Sequence, residues 1–377
     1  MSTLLRNVRV FDGSNIISGH AVEIAHGRVS RLIAEVNISG DQGEDLSGAL
    51  LAPGFVDLQV NGGGGRLLPD GPLDETLTIM AQAHRKYGTT TMLPTLISTS
   101  WENMILFASA VAEAVRINVP GIRGAHFEGP YLNPAKRGAH AARSLRMFDP
   151  GAMELFKRKD MGVVKVTIAP ECLASGTIRA LVDNGVIVSA GHTIATFDQM
   201  SAAFDEGLSG VTHLFNAMSQ FSSREAGVVG AALDNPNCFA GIIADGHHVS
   251  DASMRVALKA KGQGRICLVT DSMATVGAAQ KRFMLNGETI IARNGRCATA
   301  EGTLAGSDLD MASAIRYMVK NLNFSVEEAL RMATLYPATW IGLNHCIGRI
   351  APDYDADFVL LDLGLNVQKT WVRGCSD

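Results

Sequence analysis

With 377 residues, 47% of them hydrophobic and 19% charged, the chain can bury a large core and reads as compact rather than disordered. Its formal charge of -4 gives no basic footprint for nucleic acid, although a few placed cations can still hold an anionic small molecule. Six scattered cysteines (Cys172, Cys238, Cys267, Cys297, Cys346 and Cys375) form no C-x-x-C pair, no signal-peptide core opens the sequence, and no run approaches a membrane span, so a cytoplasmic globular protein is expected.

Residues 4–10, 21–24 and 29–33 alternate and predict a small antiparallel sheet that ends at Pro53-Gly54. The rhythm then changes. Apolar runs at 55–60, 89–96, 122–128, 163–169, 186–190, 211–214, 239–244 and 265–270 predict strands. Helical patterns fall at 74–87, 101–117, 150–159, 177–184, 196–206 and 251–261; the stretch before Phe239 shows none. Eight apolar strands alternating with helices predict an α/β fold, a closed (β/α)8 TIM-type barrel. A doubly wound open sheet is the alternative, but no G-x-G-x-x-G follows the first strand. Beyond the barrel come β excursions at 283–291 and 296–299, helices at 307–319 and 326–333, and strands at 357–361 and 368–372. The two chain ends, residues 1–52 and 346–377, are expected to share one small β-sandwich-like domain flanking a barrel of residues 53–345.

In such a barrel the chemistry sits at the C-terminal strand ends. Read in order, those ends carry Gln59 and Asn61, Glu128, His192, His213, Asp245 to His248, and Asp271. A carboxylate ending a buried strand is costly unless a metal, a catalytic role or a salt bridge offsets its desolvation. Each residue also has a plainer reading: His192 as a buried ring on a backbone carbonyl, Glu128 in an ion pair, Asp271 as a turn cap. Gathered at one mouth, two histidines and a carboxylate with an open position make a catalytic metal site.

Several ordered motifs sharpen this. They are Gly-Phe-Val-Asp-Leu-Gln-Val-Asn-Gly at 54–62, His-Phe-Glu-Gly-Pro-Tyr at 126–131, Lys-Arg-Gly-Ala-His at 136–140 and Ala-Gly-His-Thr at 190–193. Thr-His-Leu-Phe-Asn-Ala-Met at 212–218, Ile-Ala-Asp-Gly-His-His-Val at 243–249, Val-Thr-Asp-Ser-Met at 269–273 and Leu-Ala-Gly-Ser at 304–307 follow. Together they resemble the N-acetylglucosamine-6-phosphate deacetylases of the amidohydrolase superfamily. The resemblance implies that Glu128, His192 and His213 hold one divalent metal per subunit, with zinc ahead of iron, cobalt and manganese. It implies that His140 meets the acetyl carbonyl beside Ala139, that Asn216, Ala217 and Leu304, Ala305, Gly306 touch the sugar phosphate, that Arg224 and His248 bind the phosphate, and that Asp271 is the catalytic acid–base. A homodimer, in which the partner can supply a phosphate ligand, is also implied.

Superfamily members with two metals carry His-x-His on strand one and a bridging lysine on strand four. Here strand one ends Gln59-Val60-Asn61, and Lys165 lies inside its strand, where it is expected to face the helix layer or solvent. One tightly bound metal is therefore expected, with Gln59 and Asn61 supporting it. Gly62 to Gly65 lack a following Lys-Ser/Thr and read as a close-packed loop. His84, His20, His26 and His345 read as surface or local-structure residues, His247 as structural, and His126 as support for Glu128. The rival readings are N-acetylgalactosamine-6-phosphate deacetylase, a cyclic-amide or deaminase member of the superfamily, and a non-catalytic sugar-phosphate binding protein.

Overall fold

The computed structural model describes residues 2–38 and 42–376; Met1, residues 39–41 and Asp377, all inside the expected end domain, lie outside them. Eight parallel strands follow one another in a single sheet: Phe55–Val60, Thr89–Ile97, Gly124–Glu128, Val163–Ile168, Ile187–Ala190, Gly210–Val211, Phe239–Ile242 and Ile266–Leu268. The seam between the eighth and first is joined by a Val60–Ser272 bridge and by Asp271 N–H donating to the Gln59 carbonyl at 3.0 Å. This is the (β/α)8 barrel with a flanking domain of strands.

Side-chain hydroxyls and carboxylates start many of the helices. Ser100, Ser250 and Ser325 accept from the third N–H of their helices, Asp149 and Asp310 do the same, and Thr196 forms a full capping box with Gln199. A helix missed from the sequence, Gly227–Asp234, follows strand six. Its first six residues are all buried, so no polar face marks its period. The expected helix at 307–319 is Met311–Leu322, because residues 304–307 are drawn into a sheet. That sheet, Arg282–Leu285, Glu288–Arg293, Arg296–Ala298 and Leu304–Ser307, is the excursion after strand eight. Its first two turns are Asn286-Gly287 and Asn294-Gly295, all four residues at positive φ, as tight hairpins require.

The expected single strand at 4–10 is two, Ser2–Arg6 and Arg9–Phe11, in different sheets. Asn7, in the left-handed region at φ 51°, redirects the chain between them. Phe358–Leu361 and Val367–Val372 join Leu50–Pro53 and Arg9–Phe11 in the second sheet, over a core running from Leu5 and Val10 to Phe358 and Trp371.

The barrel interior below the mouth is polar. His126 Nε2 lies 2.7 Å from Thr167 Oγ1, which is 2.6 Å from Thr212 Oγ1; Ser189 Oγ is 2.9 Å from the latter. Strands four and six are not neighbours, so the Thr167–Thr212 contact crosses the barrel interior. Lys165 corrects its expectation: it is 1% exposed, turned neither to solvent nor to the helix layer. Its Nζ lies 3.2 Å from both His126 Nε2 and Thr212 Oγ1 and 5.2 Å from the Trp340 ring centre. His84 is fully buried, with Nε2 2.9 Å from the Gly62 carbonyl, and His126 touches Thr95, Thr167 and Lys165 rather than Glu128.

Candidate active site and metal centre

Three Lewis-base atoms converge at the mouth. Glu128 Oε1, from the last residue of strand three, lies 3.1 Å from His192 Nε2 and 2.9 Å from His213 Nε2, and the two nitrogens are 3.1 Å apart. The plain reading of His192 holds for one side of its ring: Nδ1 lies 2.8 Å from the Lys136 carbonyl. A carbonyl only accepts, so Nδ1 carries a proton, and Nε2 is the atom the ring turns to Glu128. Burial pushes the Glu128 carboxyl up, but hydrogen bonds and charge from the two rings hold it well below its usual range. His213 is the counterpart. Burial lowers it, and the Glu128 hydrogen bond and charge more than reverse that. A cation fits here: two imidazole nitrogens and a carboxylate oxygen lie within 3.1 Å of one another. His140 also brings a ring nitrogen within 4.8 Å of Glu128 and His192. The direct contacts to the carboxylate come from His213, whereas His140 Nδ1 is engaged by Ser98.

Asp271, just past strand eight, faces this cluster. Its Oδ1 accepts from Gln59 Nε2 at 3.0 Å and Asn61 Nδ2 at 2.7 Å, and the same Gln59 amide donates to Glu128 Oε2 at 3.1 Å. Gln59 thus ties the two carboxylates together. Burial first, then the Glu128 charge, pushes Asp271 up to about 6, against the lowering pull of His213, His248 and Asn61. Burial, reinforced by the charge of His192, pushes His140 down to about 3.

The backbone is strained here. His192, His213, Phe215, Ala217 and Asp271 sit at φ 50°, 35°, 77°, 48° and 51°. Such conformations cost roughly 1–3 kcal/mol each in non-glycine residues and cluster where side chains must be aimed.

A cavity of about 440 Å³ opens above these groups. Glu128, His192, His213 and Asp271 line one end, with Ala139 and His140 beside them. Asn216, Ala217, His248 and Leu304 to Gly306 also line it. His248 Nδ1 lies 2.7 Å from Asp245 Oδ2, and the other Asp245 oxygen accepts the His247 and His248 backbone N–H groups at 2.8 and 2.9 Å. Gly306, at φ 66°, lets its strand pass Met273, whose side chain a Cβ would meet at 2.5 Å. Arg224 is not brought into the cavity: it is exposed, on the loop between Ala217 and the helix Gly227–Asp234.

Sequence reasoning missed the apolar walls Ile97, Ile243, Met273 and Leu285, and it missed Ser98. Topology was the available signal for Ser98, which directly follows strand two.

The amidohydrolase family pattern matches residues 50–375, and the chain belongs to that family. Within it, the chain is similar to deacetylases of phosphorylated amino sugars. It is 42% identical to the N-acetylgalactosamine-6-phosphate deacetylase of Shewanella sp., over 97% of this chain and 93% of the relative. It is 35% identical to the N-acetylglucosamine-6-phosphate deacetylase of Haemophilus influenzae, over 99% of each. The crystal structure of N-acetylglucosamine-6-phosphate deacetylase from Pasteurella multocida superposes with a TM-score of 0.96, at 34% identity and complete coverage of both chains.

Proposed function

We propose that the protein hydrolyses the N-acetyl group of N-acetyl-D-glucosamine 6-phosphate to glucosamine 6-phosphate and acetate. The carrying observation is the Glu128–His192–His213 triangle facing Asp271 across a cavity that reaches His248. A divalent cation held by the triangle lowers the pKa of water and polarises an amide carbonyl. Asp271 supplies the proton traffic. Both amide donors occupy Oδ1, which leaves Oδ2 to take a proton from water and return it to the departing amine. His140 donates to the developing oxyanion, a role worth about 3–4 kcal/mol for one such donor. His248, braced by Asp245, and Arg224 bind the phosphate.

Zinc is the proposed ion, one per subunit; iron, cobalt and manganese suit the same donors. We also read the protein as a cytoplasmic homodimer. Six free cysteines suit a reducing compartment, and no helix among the described residues is long and apolar enough to cross a membrane. Phe221 and Val256, 68% and 62% exposed, border an apolar hollow beside the Arg224 loop and support self-association.

The 42% relative favours a second reading, N-acetylgalactosamine 6-phosphate as substrate. A side-by-side acetate-release assay on both 6-phosphorylated sugars and their unphosphorylated forms, with metal analysis of the sample, tests both. Release from a phosphorylated sugar at about one metal equivalent is expected. No release from either phosphorylated sugar sinks the proposal, and activity that tracks a second equivalent overturns the single-ion reading.

A further inference from the structure

We infer that Ser98 is a positioning residue that fixes His140 as a neutral donor through Nε2. The backbone N–H of Ser98 points at His140 Nδ1 at 3.2 Å, and its Oγ lies 2.8 Å from the same nitrogen. A backbone N–H can only donate, so Nδ1 must keep its lone pair, and the single ring proton sits on Nε2. The hydroxyl adds a second donor on the same side, or turns to the Glu128 carbonyl at 3.5 Å.

The frame around this contact is built for it. His140 is 3% exposed, its N–H donates to the Arg137 carbonyl at 3.0 Å, and Arg137 Nη1 donates back to the His140 carbonyl at 2.9 Å. Gly129, directly after Glu128 and at φ 85°, leaves the space Ser98 needs: a Cβ there would lie 2.4 Å from Ser98 Oγ. Strand two thus contributes to the mouth through a neutral residue, and the two titratable groups divide the work. Asp271 moves protons. His140, whose lone pair is turned away onto Ser98, only donates.

The catalytic half of this inference rests on the deacetylase reading; the tautomer does not. In the metal-loaded full chain labelled with 15N-histidine, the His140 ring, assigned by its disappearance in His140→Gln, should show a protonated Nε2 and a bare Nδ1. A protonated Nδ1 overturns the inference whatever the substrate proves to be. In turnover, Ser98→Ala should lower kcat about 3- to 10-fold, the scale of one net hydrogen bond, with KM unchanged and Ser98→Thr restoring the rate. The deficit should shrink on the N-trifluoroacetyl analogue, whose carbonyl needs less help from a donor. Because Ser98→Ala keeps the backbone N–H, an equal deficit on both substrates, or none, removes the hydroxyl from the role and leaves the tautomer to the spectrum. If Ser98→Ala fails to fold or to load metal, the His140 variants decide: His140→Gln, whose amide reaches the Nε2 position, should outperform His140→Asn. The reverse order sinks the assignment. A wild-type protein inert on every amino sugar would instead retire the proposed function, leaving the tautomer to stand or fall on the spectrum.

Discussion

The groups proposed to act on the amide and those proposed to hold the phosphate are built differently. At the amide end, Glu128, His140, His192 and His213 are 2–5% exposed, and each is engaged by fixed partners on neighbouring strands or loops. On the proposed phosphate side, His248 is braced by Asp245, but Arg224 lies outside the cavity, in solvent on a surface loop. Breaking an amide requires donors and acceptors already aimed where charge will develop, because reorganising them during the reaction costs rate. Holding a dianion is less exacting, since its charge attracts cations over several ångströms and a flexible side chain or a neighbouring subunit can supply one. Positive φ occurs at His192, His213 and Asp271 and also at Phe215 and Ala217, which lead into the Arg224 loop, but not at Arg224 itself.

The comparison breaks first at Asp271. Asp271→Asn should keep metal and substrate binding while kcat falls by roughly 10²–10⁴, the usual range for a positioned acid–base. Single-turnover kinetics beside calorimetric binding would show it, and a near-normal kcat would remove proton transfer from the amide end. Glu128→Gln should lose metal before fold: bound metal per chain drops, with affinity reduced by more than the roughly 10–100-fold that a supporting partner usually costs. A variant that retains a full equivalent would show that the triangle is not the metal site. Arg224→Ala should raise KM for a 6-phosphorylated substrate by about 10- to 100-fold, as expected for losing a charged hydrogen bond worth roughly 1.5–3 kcal/mol. It should change little for the unphosphorylated sugar. Equal losses on both would mean that the exposed loop contributes no phosphate ligand.

The amide end was also the more legible in sequence, for a physical reason. Buried parallel strands read as apolar runs, and a charged residue that ends such a run is conspicuous, which is how Glu128, His192, His213 and Asp271 stood out. The helix Gly227–Asp234 was hidden because two glycines and full burial of its first six residues erase its periodicity. Ser98 was hidden because it acts through a backbone N–H and a neutral hydroxyl, which leave no trace in composition. Lys165 was misjudged because an apolar strand buried on both faces does not announce which face a lone polar residue takes. Its partners Thr212 and His126 come from other strands, and only closure of the barrel assembles them.

Lys165 also shows what underlies the amide end. Among the described residues no carboxylate lies within ion-pair distance of its Nζ. Burial pushes its ammonium down to about 7, against the upward pull of Glu128 and Cys267. The unfolded chain holds this proton up to about 10.4. Between those values the unfolded state binds more protons than the folded one, so stability must rise with pH, by up to about 1.4 kcal/mol per pH unit from this group. The penalty is full below pH 7 and is relieved above it. Lys165→Met, similar in length and uncharged, should therefore unfold at higher urea than the wild type at pH 6, with the gap closing towards pH 9 when both are measured free of metal. Parallel pH profiles would mean that Lys165 stays charged in the folded barrel. The polar layer of His126, Thr167 and Thr212 would then be a solvating floor for a cation beneath Glu128 rather than a neutral scaffold for the mouth.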